Sequence, residues 1–337
     1  MCRDMSRMMH IFRSMSIENV MSPRPALPRR RGGHGAAVFA QGPAWGQLGC
    51  PPRTALPRCR GEHGAAVRRA SPAWGADVIS SNVVGYNKII LQPGYNAISS
   101  QFVPVGANTT VDILDVADCT SLPAMDPDTE TGEGFARLQT WTPGEGYTIY
   151  EWTGEGLAEA WDWEGIDNKW MTESAGDVAV VQISNGQGFW LWLDPNAVDQ
   201  NKPVTISGQV LTNETTTVSL VAGYNLIANP YPNAIDIQDI SFSNLPSMDP
   251  DTETGEGYAR LQTWKPGEGY TIFEWTGDGL AEAWDWEGID NKWMTESAGD
   301  VAEDVLIGVG ESFWIWLDPT CPSLSGNVSV TFTNPID

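Results

Sequence analysis

The sequence predicts an all-β protein made of two tandem β-sandwich-like modules that follow an Arg/Pro-rich leader. The first observation is a duplication: Met125–Ala179 and Met248–Ala302 are 55-residue segments that differ at four positions only. The second is a series of short runs rich in β-branched and aromatic residues. The third is punctuation by Gly and Pro about every 8–12 residues, the turn spacing of a sandwich or barrel. A duplicated block of this length indicates two equivalent structural units.

The repeat extends beyond the near-identical block, although more loosely. Gly94–Ile98 corresponds to Gly223–Ile227, and Phe189–Pro195 corresponds to Phe313–Pro319. The full unit is therefore roughly 125–130 residues long, a size that suits one domain with its own core. The predicted modules are residues 77–210 and residues 211–337.

The strand predictions follow the chain in order. Phe189–Leu193 is apolar on both faces, which is typical of a central strand buried from two sides. Leu157–Trp163 is flanked by glycines and has room for one helical turn at most. The other strands are predicted at Val83–Leu91, Tyr95–Ile98, Ala136–Trp141, Gly146–Trp152, Val204–Ser207, Thr215–Val221 and Val328–Thr331.

The leader and the body carry opposite charge. Residues 1–76 contain twelve arginines against three acidic residues, whereas residues 77–337 contain 40 acidic against seven basic residues. The Arg, Pro, Gly and Ala content of the leader predicts a disordered or non-native extension. The acidic body disfavours nucleic acid and anionic membrane surfaces as partners. No apolar run approaches the ~20 residues of a membrane-spanning helix.

Two short segments resemble signatures of uncharacterised β-rich tandem repeat modules in secreted or surface-exposed bacterial proteins. These segments are the GYNLIANPYP run at Gly223–Pro232 and the GQGFW run at Gly186–Trp190. Module 1 departs from the first signature at Ser99–Phe102, and module 2 departs from the second at Gly310–Phe313. The resemblance implies a sandwich-like fold and a secreted or cell-surface location, although the chain shows no clear signal peptide. It implies no activity and no functional residues.

Histidine chemistry is missing from the body, because His10, His34 and His63 all lie in the leader. A Ser-His-Asp triad and a His-ligated zinc site are therefore excluded there. Glycoside hydrolysis by paired carboxylates stays open as an alternative, since it needs only two acids across a sugar cleft. The candidate carboxylates are Glu151, Glu155, Glu159, Asp162 and Glu164, with the copies Glu274, Asp278, Glu282, Asp285 and Glu287.

Tryptophan is the strongest indication of binding, because indole rings offer flat apolar faces that stack on sugars. Trp161 and Trp163 alternate with Asp162 and Glu164, so in a strand both rings would share one face. Burial in the core is the competing interpretation. The predicted ligand-binding residues are Trp152, Trp161, Trp163, Trp170, Trp275, Trp284, Trp286 and Trp293.

An acidic loop at the start of each duplicated block resembles a calcium loop, since oxygen ligands alternate along it before a glycine. The glycine falls one position later than an EF-hand requires, and the twelfth position is Arg137. A polar turn without metal is the alternative. The candidate calcium ligands are Asp126, Asp128, Glu130, Asp249, Asp251 and Glu253.

These observations predict an extracellular or cell-surface, non-catalytic module that binds carbohydrate through a Trp-rich face. The expected partners are polysaccharide or other cell-surface components. The alternatives are a structural protein of a surface layer or matrix that binds calcium, and a carboxylate-dependent glycoside hydrolase. The pairing of Cys119 and Cys321 is left open, as two buried thiols or as one disulfide.

Overall fold

An antiparallel β architecture with few, short helices confirms the all-β prediction. The computed structural model describes residues 84–106, 110–128, 134–198, 200–251, 257–322, 324 and 326–335. The predicted leader, residues 1–76, lies outside this part of the chain. The described residues all belong to one compact unit, and the division into separate modules at residue 210 stays a prediction. We refer to residues 84–210 as repeat 1 and to residues 211–335 as repeat 2.

Repeat 1 contains two main sheets and a two-stranded ribbon. The strands of the first sheet are β1 (Val84–Leu91), β3 (Phe102–Val103), β5 (Ala117–Asp118) and β12 (Lys202–Val210), in the order β1-β12-β3, with β5 also paired to β12. The second sheet contains β2 (Gly94–Ser99), β6 (Ala136–Thr142), β7 (Gly146–Trp152), β8 (Trp170–Thr172), β9 (Val178–Ala179) and β11 (Gly188–Leu193), in the order β2-β11-β6-β7-β8-β9. The ribbon pairs β4 (Thr110–Asp112) with β10 (Gln182–Ser184).

Repeat 2 has the same plan. Its first sheet contains β13 (Thr215–Leu220), β16 (Ser241–Ser243) and β22 (Val328–Thr333), in the order β13-β22-β16. The second contains β14 (Gly223–Ala228), β17 (Ala259–Lys265), β18 (Gly269–Trp275), β19 (Trp293–Thr295) and β21 (Ser312–Leu317), in the order β14-β21-β17-β18-β19. The ribbon pairs β15 (Ile235–Asp236) with β20 (Leu306–Ile307).

Within the described residues, three short α-helices and one 3₁₀ helix interrupt the strands. They are α1 (Ile113–Val116), α2 (Leu157–Trp161), the 3₁₀ helix Ile237–Asp239 and α3 (Leu280–Trp284). The α2 helix begins after Gly156 and ends before Asp162, whose φ of 51° lies in the left-handed region. The single helical turn predicted for Leu157–Trp163 is therefore confirmed. The alternative in which Trp161 and Trp163 share a strand face is wrong, because the chain turns between the two rings.

The core is built from the inward faces of both sheets. The central strand β11 lies between β2 and β6 and is almost fully buried, as its apolar sequence predicts. Leu138 and Phe189 of the second sheet join Val204 and Ile206 of the first sheet in one hydrophobic cluster. Removal of these side chains from water is the main stabilising contribution.

The two repeats contact each other through reciprocal hydrogen bonds. The Ser99 N–H donates to the Gly310 carbonyl oxygen at 2.9 Å, and the Ala228 N–H donates to the Gly186 carbonyl oxygen at the same distance. In each bond the end of the strand β2 or β14 meets the turn before β21 or β11 of the other repeat. Reciprocity of this kind is characteristic of an approximate twofold arrangement.

Candidate functional site

Three of the eight predicted tryptophans are buried. Trp152, Trp170 and Trp293 are at most 1 % exposed, and they pack within the hydrophobic core. Trp275 is half-buried and packs against the same core, with its ring 5.3 Å from that of Trp293. Trp152, Trp170 and Trp293 therefore pack as the core interpretation expects and offer no surface for a ligand.

The other four predicted tryptophans lie at the ends of α2 and α3. Trp163 and Trp286 are each 42 % exposed, whereas Trp161 and Trp284 are half-buried. The Trp161 indole N–H donates to the Pro127 carbonyl oxygen at 2.8 Å, and Trp284 makes the equivalent bond. Trp161 therefore packs its helix end against the acidic loop, and Trp163 is the accessible ring.

The predicted calcium ligands that the structure describes act in polar turns. Asp126 accepts a hydrogen bond from the Asp128 N–H at 3.0 Å, and Asp249 accepts the equivalent bond from Asp251. Glu130 and Glu253 lie outside the described residues. Among the described residues, no three His, Cys, Asp or Glu side chains form a group suited to a metal ion. Calcium binding by these loops stays a prediction.

The carboxylates proposed for hydrolysis divide into one buried and four exposed residues in each repeat. Glu151 is fully buried, where it accepts a 2.9 Å hydrogen bond from the Gly134 N–H and pairs with Arg137 at 3.4 Å. Its copy Glu274 makes the same contacts with Gly257 and Arg260. A carboxylate held in this way supports the fold. The remaining four candidates in repeat 1 are exposed on the loop after β7 and around α2.

A pair of aromatic clusters occupies the contact between the repeats. The Trp141 indole N–H donates to the Tyr224 carbonyl oxygen at 2.7 Å, and the Trp264 indole N–H donates to the Tyr95 carbonyl oxygen at 2.9 Å. Each tryptophan lies at the end of a hairpin in one repeat and reaches a strand of the other. The two bonds are equivalent by the sequence repeat, which makes this interface isologous in character.

Ring contacts hold these indoles in place. Trp141 packs edge-on against Tyr147 at 4.9 Å and against Trp314 of the other repeat at 5.4 Å. Trp264 packs in the same way against Tyr270 at 4.8 Å and Trp190 at 5.7 Å. Edge-to-face pairs of this kind add about 0.5–1.5 kcal/mol each beyond burial. Both indoles are therefore rigid although they are only half-buried.

Two clefts open beside these indoles, and each has a volume of about 260 Å³. Cleft 1 lies between β1 and β2 of repeat 1 and the Trp264–Pro266 turn of repeat 2. Cleft 2 lies between β13 and β14 of repeat 2 and the Trp141–Pro143 turn of repeat 1. Each cleft thus has one wall from each repeat.

The polar groups of the two clefts are amides, hydroxyls and a few charges. Asn96 forms part of cleft 1, where its side chain bonds the main chain of Gln92 in both directions at 2.8–2.9 Å. Asn225 has the same role in cleft 2 with Val221. The polar lining of cleft 1 also includes Asn87, Lys88, Gln92 and Glu311, and that of cleft 2 includes Thr142, Ser184, Asn185, Gln187 and Ser219.

Sequence reasoning missed both clefts. The sequence predicts only a strand end at Trp141, and the bonding partners of Trp141 and Trp264 lie 83 and 169 residues away in the chain. One signal was present: three of the four differences within the duplicated block preserve size and chemistry, whereas Thr142/Lys265 does not. Thr142 and Lys265 directly follow the cleft tryptophans Trp141 and Trp264 in the sequence.

A scan of the chain against protein-family models found no match, and searches of curated proteins and of solved structures found none either. The likeness to secreted β-rich repeat modules therefore stays a prediction. In the part of the chain that the structure describes, no helix has the length and apolar character needed to cross a bilayer.

Proposed function

We propose that this protein binds carbohydrate non-catalytically through clefts 1 and 2, at the cell surface or outside the cell. The observation that carries the proposal is the pairing, in both clefts, of a rigid, half-buried indole with a neighbouring proline and a polar wall. The proposal keeps the ligand class predicted from the tryptophan content and moves the contact surface to Trp141 and Trp264.

The chemistry of the clefts fits a sugar ring better than a purely apolar ligand. A pyranose has an apolar face that stacks on an indole and a rim of hydroxyls that exchange hydrogen bonds with amides and hydroxyls. A volume of about 260 Å³ is at the small end of ligand sites, which suits one or two sugar rings. Because the indoles are already fixed by hydrogen bonds and ring contacts, binding need not order them.

Two clefts in one chain also suit a repeating ligand. A polysaccharide that reaches both clefts would bind the second one as an intramolecular event, with a gain set by local concentration. This supports an extended glycan of the cell surface or matrix as the partner.

Binding of the full-length chain to a glycan array, followed by calorimetry on retained neutral oligosaccharides, tests the proposal. Ser219→Arg places a long side chain in cleft 2, and Ile90→Arg does so in cleft 1 at the equivalent exposed position. We expect each single variant to halve the number of binding sites and the double variant to abolish binding.

Matched controls lie on the same strands. Thr215 and Tyr86 are also exposed and equivalent, but neither lines a cleft. Thr215→Arg and Tyr86→Arg should therefore leave binding unchanged. Full binding by the correctly folded Ile90→Arg/Ser219→Arg variant would refute the assignment of the binding sites to the clefts. Loss of binding only in the Trp163→Ala/Trp286→Ala variant would assign the binding sites to the exposed loops instead.

A further inference from the structure

The two clefts differ in charge at positions that the repeat makes equivalent. Lys88 of β1 lines cleft 1, and the corresponding residue of β13 is Thr217. Thr142 lines cleft 2, and the corresponding residue in the duplicated block is Lys265, between the cleft 1 residues Trp264 and Pro266. Cleft 1 thus has two lysines in or beside its wall where cleft 2 has two threonines.

The carboxylate of Glu311 also lines cleft 1, and it accepts a hydrogen bond from the main chain. The Glu311 Oε2 atom accepts a 2.8 Å hydrogen bond from the Gly308 N–H, which braces the turn before β21. Gln187 has the same role in cleft 2, where its Oε1 atom accepts from the Ser184 N–H at 3.0 Å. The carboxylate of Glu311 is therefore engaged at a turn, although Glu311 is exposed, as Lys88 and Lys265 are.

The lysines are unusual in this protein. Residues 77–337 contain seven basic residues in all, and two of the seven, Arg137 and Arg260, pair with buried glutamates. At physiological salt, charges more than about 8 Å apart are largely screened. A ligand in cleft 1 therefore senses mainly the nearby charges, which are Lys88, Lys265 and Glu311. Glu268, in the same turn as Lys265, has the copy Glu145 beside cleft 2 and does not distinguish the two clefts.

Building on the proposed function, we infer that cleft 1 prefers a sugar that carries an anionic group over its neutral counterpart, whereas cleft 2 has no such preference. The anionic group is a carboxylate, as in a uronic acid, or a sulfate ester. The ammonium groups of Lys88 and Lys265 recognise its charge while the Trp264 ring stacks on the pyranose. A glycan with both acidic and neutral sugars would then engage both clefts of one chain.

The test compares three oligosaccharides of the same linkage: a uronic-acid form, its carboxyl-reduced neutral form and a sulfated neutral form. Affinities for the full-length chain are measured by calorimetry at low and high salt. We expect Lys88→Thr and Lys265→Thr each to weaken binding of the acidic forms about two- to fivefold, the size of a solvent-exposed ion pair. Binding of the neutral form should change less than that of either acidic form.

The repeat supplies the reverse variants and the control. Thr142→Lys and Thr217→Lys should raise the affinity of cleft 2 for the acidic forms by a similar factor. Lys169→Thr removes an exposed lysine that lines neither cleft and should have no effect. The uronic-acid and sulfated forms distinguish the two sources of negative charge.

Different failures separate the two proposals. If the chain binds the neutral form and rejects both acidic forms, the charge inference is wrong and carbohydrate binding stands. The inference is equally wrong if Lys88→Thr weakens acidic and neutral forms alike, or if Lys169→Thr has the same effect as Lys88→Thr. If a broad glycan panel shows no binding of any kind, both proposals fall.

Discussion

The indole nitrogen of Trp141 donates a 2.7 Å hydrogen bond to the carbonyl oxygen of Tyr224, a residue of the other repeat. Trp264 makes the matching bond to Tyr95, so each repeat holds the other by the same means. The same two indoles line the clefts. The contact between the repeats therefore also shapes the candidate binding site.

Loss of the indole N–H should weaken this contact. Trp141→Phe and Trp264→Phe keep an aromatic ring and remove the donor, so we expect a loss of about 0.5–1.5 kcal/mol each in the free energy of unfolding. Urea unfolding followed by circular dichroism measures the change. Trp163→Phe, at an exposed ring of the α2 loop, is the control, and a loss there as large as for Trp141→Phe would contradict the role assigned to the bond.

Position 154 requires glycine, because its backbone is left-handed and its surroundings leave no room for a Cβ atom. Its φ is +70°, and a Cβ atom there would lie 2.3 Å from the Cβ of Ala124. Gly154→Ala should therefore cost about 2–5 kcal/mol, from strain and overpacking together. Gly156→Ala is the matched control, since its φ is +92° but nothing lies within 4 Å; strain alone predicts about 1–2 kcal/mol. An equal loss of stability in the two variants, measured by thermal or urea unfolding, would contradict a contribution from packing at position 154.

The interface tyrosines should make the protein sensitive to alkali. Desolvation of the hydroxyl group raises the pKa of Tyr270 to about 12, although 41 % of the residue is exposed, and burial raises the pKa of the half-buried Tyr147. The folded state thus keeps a proton that the unfolded state loses near pH 10, so stability is full below pH 10 and falls as the pH rises from 10 towards 12. Urea unfolding at pH 9 and at pH 11 tests this, with Tyr147→Phe/Tyr270→Phe as the variant whose decline should be smaller. An identical decline in that variant would assign the effect to other groups.

Cys119 should be inert while the protein is folded. It is a buried free thiol, and burial raises its pKa to about 12, so almost no thiolate is present at pH 8. Peptide mapping after alkylation should show Cys119 labelled only in denaturant, at a rate that follows unfolding. Rapid labelling under native conditions would contradict its burial. Since Cys119 is free and Cys321 is also buried, the sequence alternative of two buried thiols is the one the structure supports.

The calcium hypothesis has a direct test in thermal unfolding. If the acidic loops bind calcium, millimolar calcium should raise the Tm, and Asp126→Asn/Asp249→Asn should remove the increase, because ligand bound only by the folded state stabilises it. An unchanged Tm would leave these aspartates with the turn hydrogen bonds to Asp128 and Asp251 as their function.

The strands were predictable because their determinants are local. Phe189–Leu193 is apolar on both faces, and it is the strand that neighbours cover on both sides. Gly154 and Gly156 limited the length of α2, and the helix has five residues. In both cases neighbouring residues in the sequence decide the conformation.

The site was not predictable in the same way, because exposure of a ring depends on contacts between distant residues. Trp152 and Trp170 sit opposite each other on β7 and β8 and close the core, although their sequence surroundings resemble those of Trp163. Trp141 gains its role only when repeat 2 packs against it. Sequence periodicity carries no information on which surfaces of two equal units meet.

The crystal structure of the full-length protein bound to an oligosaccharide that it retains tests the central claim most directly. The claim predicts a pyranose stacked on the ring of Trp141 or Trp264, inside the cleft that the two repeats form together. A sugar bound at Trp163 or Trp286 with both clefts empty would contradict it.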